Sequence, residues 1–320
     1  MKLQTQVPLL KSEHQIDYAS RILLLGSCFS ENVGNKLSYH QFQMEQNPFG
    51  ILFHPMSIQN LILKAIEGYT YTKADIFYLN EQWHCFDAHS HVSAVTEEEL
   101  LNSLNQAIEL TGKWLRQGSH IIITLGTAWV YEDIKKGKVV ANCHKVPQKQ
   151  FQKKLLSIAD ITRSLQSITS AILDINPTAN FVFTVSPVRH LKDGFVENQR
   201  SKAHLISAVH EVVEKSNNSQ YFPSYEIMMD ELRDYRFYAQ DMVHPNELAI
   251  DYIWKKFQYV WISDTAEETM AKVAEVERGL RHRPFNPDSE AHKKFQKVLD
   301  QKIAYLKSEY PFMNFDNRSL

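Results

Sequence analysis

The chain has 320 residues, 43% of them hydrophobic and 22% charged, enough to bury a core in one large α/β domain or in two smaller ones. A formal net charge of −2, with the signs well mixed along the chain, excludes the basic footprint of a nucleic-acid or anionic-membrane binder. Three cysteines (Cys28, Cys85 and Cys143) and apolar runs no longer than a strand predict a soluble cytoplasmic protein without disulfide framework, signal peptide or membrane span.

Residues 21–25 (RILLL) form a short apolar run that stops at Gly26-Ser27, the pattern of a buried strand ending in a functional turn. Residues 30–40 read as a helix, with Val33 and Leu37 on one face. Residues 42–46 suit a second strand, broken by Asn47-Pro48-Phe49-Gly50. Helical spacing follows over 57–67 and over 97–116, the second headed by Thr96 and Glu99 as a capping box. Residues 121–125 are the clearest buried strand and again stop at a glycine, Gly126. Residues 129–131 and 138–141 flank a Lys-Lys-Gly turn and predict a hairpin. A helix over 158–175, a strand over 181–185, a helix over 201–215, a strand over 221–228 and a helix over 246–259 continue the alternation. Apolar strands alternating with amphipathic helices predict an α/β fold, a parallel sheet with helices on both faces. Residues 1–262 are expected to form this domain, and 263–320, charged and helical over 265–280 and 289–308, a C-terminal helical appendage.

In an open parallel sheet, functional groups collect where the strands end at their C-termini. Ser27 falls on such a turn, where the N–H groups opening the next helix can stabilise an oxyanion, although a serine there also serves as a plain helix cap. Asp241 and His244, three residues apart before Pro245, supply the second half of a nucleophilic site. A serine hydroxyl needs a base to take its proton, and the base needs a partner to fix its tautomer. Cys28 is an alternative nucleophile, or a small buried filler. Cys143-His144 lacks a second Cys/His pair at ligand spacing, so no metal or other cofactor is expected. No Gly-x-Gly-x-x-Gly or Walker pattern offers a nucleotide site. Arg189 and His190 could receive an anionic substrate group, or pair with Asp193 or Asp234; Tyr235 and Tyr238 lie in an aromatic and basic cluster before Asp241.

Gly26-Ser27-Cys28-Phe29-Ser30 resembles the name-giving motif of the GSCFA family, a branch of the SGNH (GDSL-like) esterase and lipase superfamily. The resemblance continues through Asn47-Pro48-Phe49-Gly50, Leu125-Gly126-Thr127-Ala128-Trp129 and Asn142-Cys143-His144-Lys145. It then runs through Ser186-Pro187-Val188-Arg189 to Asp241-Met242-Val243-His244-Pro245. It implies a flavodoxin-like three-layer α/β/α sandwich and metal-free acyl-ester chemistry, with Ser27 as nucleophile, His244 as base and Asp241 orienting it. It also implies an oxyanion hole of the Ser27 N–H, the Gly50 N–H and an asparagine after the third strand. Ala128 stands where that asparagine is usual, which leaves Asn142 to supply the amide, with Asn47 as a second candidate. Asn47, Gly126, Thr127, Arg189 and Tyr238 are the expected substrate contacts, and the Ser27 hydroxyl is expected within hydrogen-bond reach of His244. A serine esterase acting on an acyl ester, such as an O-acetyl group on a carbohydrate, is the leading expectation. An acyltransferase with the same residues, and a binding protein that has lost efficient catalysis, are the alternatives. The partner is then a small-molecule or carbohydrate ester, with no nucleic acid or membrane involved.

Overall fold

A computed structural model describes residues 4–316. Strand β1 (Arg21–Gly26), helix α1 (Cys28–Tyr39) and strand β2 (Gln43–Gln46) form the first crossover. Helix α2 (Pro55–Glu67) starts on a proline that needs no N–H there, and the His54 ring caps it by accepting the Ser57 N–H at 3.1 Å. Strands β3 (Ile76–Leu79) and β4 (Gln82–Cys85) make an antiparallel hairpin that sequence periodicity does not reveal. Helix α3 (Glu97–Gln117) opens on the capping box of Thr96 and Glu99. Strand β5 (His120–Leu125) leads into a small antiparallel sheet of β6 (Trp129–Asp133), β7 (Lys138–Val140) and β8 (Phe151–Leu155), the last absent from the sequence reading. Helix α4 (Ile158–Ile175), strand β9 (Asn180–Val185), helix α5 (Phe195–Val213) and strand β10 (Ser219–Phe222) complete the central sheet. The chain then passes through α6 (Ser224–Glu226) to α7 (Glu247–Trp261), α8 (Asp264–Arg281) and α9 (Glu290–Glu309).

Two expected boundaries are corrected. Helix α5 begins at Phe195, six residues before 201. The strand expected over 221–228 stops at Phe222, and Pro223 is followed by helical turns over Ser224–Glu226 and Ile227–Glu231. Proline there withholds the ladder N–H a strand would need.

The central sheet is ordered β10-β9-β5-β1-β2 and every neighbouring pair is parallel. Along its strands alternate side chains enter opposite layers, as a period of two requires. Leu23, Leu25, Ile121, Ile123, Phe181 and Phe183 face a core covered by α2 to α5. Ile22, Leu24, Ile122 and Val182 face a second core covered by α1 and α7. The result is a three-layer α/β/α sandwich. Ala266, Met270, Val273 and Val276 of α8, with Leu306 of α9, lie in that second core, so the helices beyond residue 263 help cover the sheet. No helix among the described residues is long and apolar enough to cross a membrane.

The order reverses at β1. Successive crossovers run outward from β1 to β2 on one side and through β5, β9 and β10 on the other. The crevice beyond the C-terminal ends of β1 and β5 is where such a fold binds ligands.

Candidate active site

Ser27 stands at that crevice. Gly26 turns the chain with φ +136°, and a Cβ on it would lie 2.1 Å from Thr124 O, so only glycine lets β1 end this close to β5. Ser27 occupies the N-cap position of α1, yet its hydroxyl makes no capping bond. Its Oγ is buried and has no hydrogen-bond partner, and the residue is 0% exposed. A plain helix cap would spend that oxygen on a helix N–H. The expected hydrogen bond to His244 is not made either. Burial pushes the neighbouring Cys28 thiol up, which keeps it protonated and disfavours it as nucleophile.

Asp241 and His244 form a preset pair on the loop before α7. Asp241 Oδ2 meets His244 Nδ1 at 2.6 Å. Its Oδ1 accepts the Val243 N–H at 2.9 Å and the His244 N–H at 3.0 Å. These backbone hydrogen bonds, then the His244 ring, hold the Asp241 carboxyl down at about 2. With Nδ1 committed to the carboxylate, Nε2 is the nitrogen left to act as base. The loop is tied to the segment after β9, because the Arg189 N–H donates to Val243 O at 3.2 Å.

His190 links that segment to Ser27. A Cβ on Gly126 would lie 3.1 Å from Phe53 O and 3.2 Å from both His190 Nε2 and Ser27 Cβ, so imidazole and serine border the same small volume that only glycine leaves free. The ring stands edge-on to Phe53 at 5.5 Å between centroids. Burial, then electrostatic coupling to Lys202 and His244, pushes His190 down to about 3 and keeps it neutral near pH 7. Its Nε2 is buried without a partner.

Lys202 was not anticipated. It projects from α5, is 0% exposed, and donates from Nζ to Gly126 O at 2.8 Å and Ser186 O at 2.7 Å, joining the ends of β5 and β9. Burial pushes it down to about 7. A signal was present in the sequence: Lys202 shares a helical face with Asn198, Ser201, Leu205, Ala208 and Val209, all buried.

The expected oxyanion donors are arranged differently. The Ser27 N–H donates to Thr124 O at 3.0 Å and the Gly50 N–H to Asn47 O at 2.7 Å, so both are spent in the backbone. Gly50 serves the turn instead, with φ +71° and His89 Cβ 2.6 Å from where its own Cβ would stand. Asn142 caps its own turn, its Oδ1 accepting the His144 N–H at 2.8 Å. His144 in turn binds the Cys85 and Ala88 carbonyls at 2.7 and 3.0 Å. Asn47 lies beside Ser27: its Oδ1 accepts the Gly26 N–H at 2.9 Å, and its Nδ2 is buried and unpartnered.

Other expected contacts divide in the same way. The Gly126 and Thr127 N–H groups both donate to Phe53 O, at 2.8 and 3.0 Å. The Thr127 hydroxyl is occupied by Ser201 Oγ and the Trp129 N–H at 3.1 and 3.0 Å, which makes it part of the frame. Arg189 does not pair with Asp193 or Asp234, which are taken by Lys153 and Arg236. Its guanidinium lies over Tyr238, 4.2 Å from the ring centroid, with Tyr235 at 5.5 Å. Arg189, Arg233, Tyr235 and Tyr238 border a cavity of about 190 Å³ floored by Met228 and Leu232. No carboxylate among the described residues forms an ion pair with either arginine.

These features define a doubly wound α/β protein with a reserved serine at its switch point and an Asp–His pair on an adjoining loop. The chain belongs to the GSCFA family, whose model matches residues 21–257. A second model, the C-terminal domain of GSCFA domain proteins, matches 273–318. No curated protein matches the chain. Among solved structures, an acetyl xylan esterase (Est2A) from the rumen bacterium Butyrivibrio proteoclasticus is similar with a TM-score of 0.39 and 9% identity. The match covers 79% of this chain and 64% of that one, so the chain spans under two thirds of that protein.

Proposed function

We propose that the protein is a serine esterase of the SGNH type, acting on short acyl esters, with O-acetyl groups on carbohydrate as the substrate class. The observation that carries the reading is the Ser27 hydroxyl, buried without a partner at the switch point, with Asp241 and His244 paired on the loop that Arg189 ties to the segment after β9. An unsatisfied buried hydroxyl costs about 1–3 kcal/mol, and a site that uses the oxygen gives a reason for it.

In the reaction, His244 Nε2 takes the Ser27 proton as Oγ bonds to the ester carbonyl carbon and the π pair moves onto oxygen. Collapse of that oxyanion expels the alkoxide, which receives the proton from His244, and leaves an acyl-Ser27. Water, deprotonated by His244, attacks the acyl carbon; as that second tetrahedral intermediate collapses, the C–Oγ bond breaks, Ser27 Oγ takes the proton back from His244 and the acid departs. Asp241 stabilises the imidazolium in both halves. Because Ser27 is fully buried, the adjoining loops at 189–190 and 241–244 must yield to admit the carbonyl. Asn47 and Gly126 border the reacting centre, and Arg189 with Tyr238 forms the outer subsite for the remainder of the substrate.

The same burial supports a second reading, an acyltransferase, since a closed site keeps water from the acyl-enzyme until an acceptor hydroxyl enters. Turnover that rises with an added sugar acceptor while free acid falls would separate the two. The test of both is covalent labelling with a fluorophosphonate probe and peptide mapping, wild type beside Ser27→Ala. Labelling confined to Ser27 is expected. Label elsewhere, or none on folded wild type, refutes the nucleophile assignment.

A further inference from the structure

Three polar atoms around the end of β1 are buried without partners: Ser27 Oγ; Asn47 Nδ2, on the side chain whose Oδ1 accepts the Gly26 N–H; and His190 Nε2, which with Ser27 Cβ lies 3.2 Å from where a Cβ on Gly126 would stand. The backbone amides expected to hold an oxyanion beside Ser27 are already bonded, to Thr124 O and Asn47 O. An acyl-transfer site built on Ser27 still needs donors aimed at the developing negative oxygen.

We propose that Asn47 Nδ2 and His190 Nε2–H are those donors, a side-chain oxyanion site in place of the backbone one. The inference rests on Ser27 being the nucleophile. Each donor is fixed before substrate arrives. Asn47 is held at three atoms: its N–H donates to Leu24 O at 2.9 Å, its carbonyl accepts the Gly50 N–H, and its Oδ1 accepts the Gly26 N–H. That last bond also settles the amide orientation, because only oxygen can accept from Gly26, which turns Nδ2 away as a free donor. The left-handed backbone of Asn47, φ 44°, is one that asparagine tolerates better than most residues.

His190 is anchored by its own N–H, which donates to Asn198 Oδ1 at 2.9 Å, and by the edge of Phe53. Its Nε2 borders the Gly126 gap, as Ser27 does. A neutral imidazole can stabilise a developing anion as a hydrogen-bond donor without giving up its proton. The tautomer with the proton on Nε2 is the one an oxyanion at that nitrogen selects. Lys202, beneath the same gap on Gly126 O, adds a fixed positive field when protonated.

The experiment measures kcat and KM for p-nitrophenyl acetate with wild type, His190→Ala, His190→Gln and Asn47→Ala, beside fluorophosphonate labelling and thermal melting of each. Affinity for phenylboronic acid, which forms a tetrahedral adduct on an active serine, is measured in parallel. His190→Ala and Asn47→Ala should each lower kcat by about a hundred- to a thousand-fold with little change in KM. Boronate affinity should fall in step with kcat. His190→Gln, whose side-chain amide restores a donor, should recover at least tenfold over the alanine variant, an order-of-magnitude expectation that also covers the case in which His190→Ala fails to fold. Folded variants that keep wild-type kcat and boronate affinity overturn the proposal. A loss that glutamine does not restore at all overturns the donor role of His190. Wild type that neither turns over the ester nor labels at Ser27 is the separate failure of the esterase reading.

Discussion

Lys202 carries its amine fully buried, held by two backbone carbonyls and paired with no carboxylate among the described residues. Its pKa is pushed down to about 7 by burial, whereas an unfolded chain returns it to about 10.4. Between those values the unfolded state binds a proton that the folded state has released, so folding stability rises with pH. The penalty is therefore fully present below about pH 7 and disappears as pH climbs toward about 10. Each unit inside that window changes stability by up to about 1.4 kcal/mol, so from pH 7 to pH 9 Lys202 should return about 2 kcal/mol after allowing for partial titration at the lower end. Lys202→Met removes the titration. It also removes two hydrogen bonds, but the neutral amine makes those as well, so that loss is nearly constant across the window. Urea unfolding of wild type and Lys202→Met at pH 7, 8 and 9, both carrying Cys28→Ala, isolates the effect, since the Cys28 thiol feels the Lys202 charge and its removal takes that coupling out of both proteins. The stability difference, wild type minus variant, should grow by about 2 kcal/mol over that range. A difference that stays flat would mean that Lys202 titrates as in water, and the account of a dehydrated cation at the strand ends would fail.

Ser27→Ala should abolish esterase turnover while raising stability by about 1–3 kcal/mol in urea unfolding, because the buried hydroxyl it removes bonds to nothing in the fold. A large loss of stability would show that Ser27 is a structural residue. Asp241→Asn keeps an oxygen for the Val243 and His244 N–H groups but presents His244 with a neutral partner, so kcat should fall by about 10⁴-fold with the loop intact by near-UV circular dichroism. Activity near that of wild type would remove Asp241 from the mechanism. Arg189→Met should raise KM about tenfold or more for acyl esters of uronates and leave KM for neutral sugar esters unchanged. Equal effects on both would make Arg189 a support for Tyr238 only.

What the sequence disclosed follows from how local each signal is. Apolar runs such as residues 21–25 and 121–125 mark strands buried on both faces, and both end on the glycines that frame the crevice. Ser27 and the Asp241–His244 pair were legible for the same reason: a Gly-Ser at a strand end and an acid three residues from a histidine are neighbours in the chain. Strands β4 and β8 were hidden because Gln82–Cys85 alternates polar and apolar over four residues only, too few to set a period, and Phe151–Leu155 is polar between its two apolar ends. Lys202 was hidden by its type, since a lysine on a helix face is ordinarily solvated.

The oxyanion donors could not be read for a deeper reason. Whether an N–H is free depends on the turn that carries it. The Gly50 amide is lost to Asn47 because residues 47–50 close a tight turn, and the Ser27 amide is lost to Thr124 because β1 ends so close to β5. Those same two constraints release the alternatives. The turn at Asn47 delivers its amide to Gly26 with the nitrogen left over, and the missing side chain at Gly126 leaves the small volume that His190 and Ser27 both border. Gly126, an expected substrate contact, leaves free the volume that a Cβ would fill 3.2 Å from Ser27 Cβ. A motif match singles out Ser27, Asp241 and His244 because they sit in single blocks of sequence. The groups that would hold the oxyanion come from loops after β2 and β9, one bonded to Gly26 and the other bordering Gly126, and only the approach of those two glycine turns makes them a set.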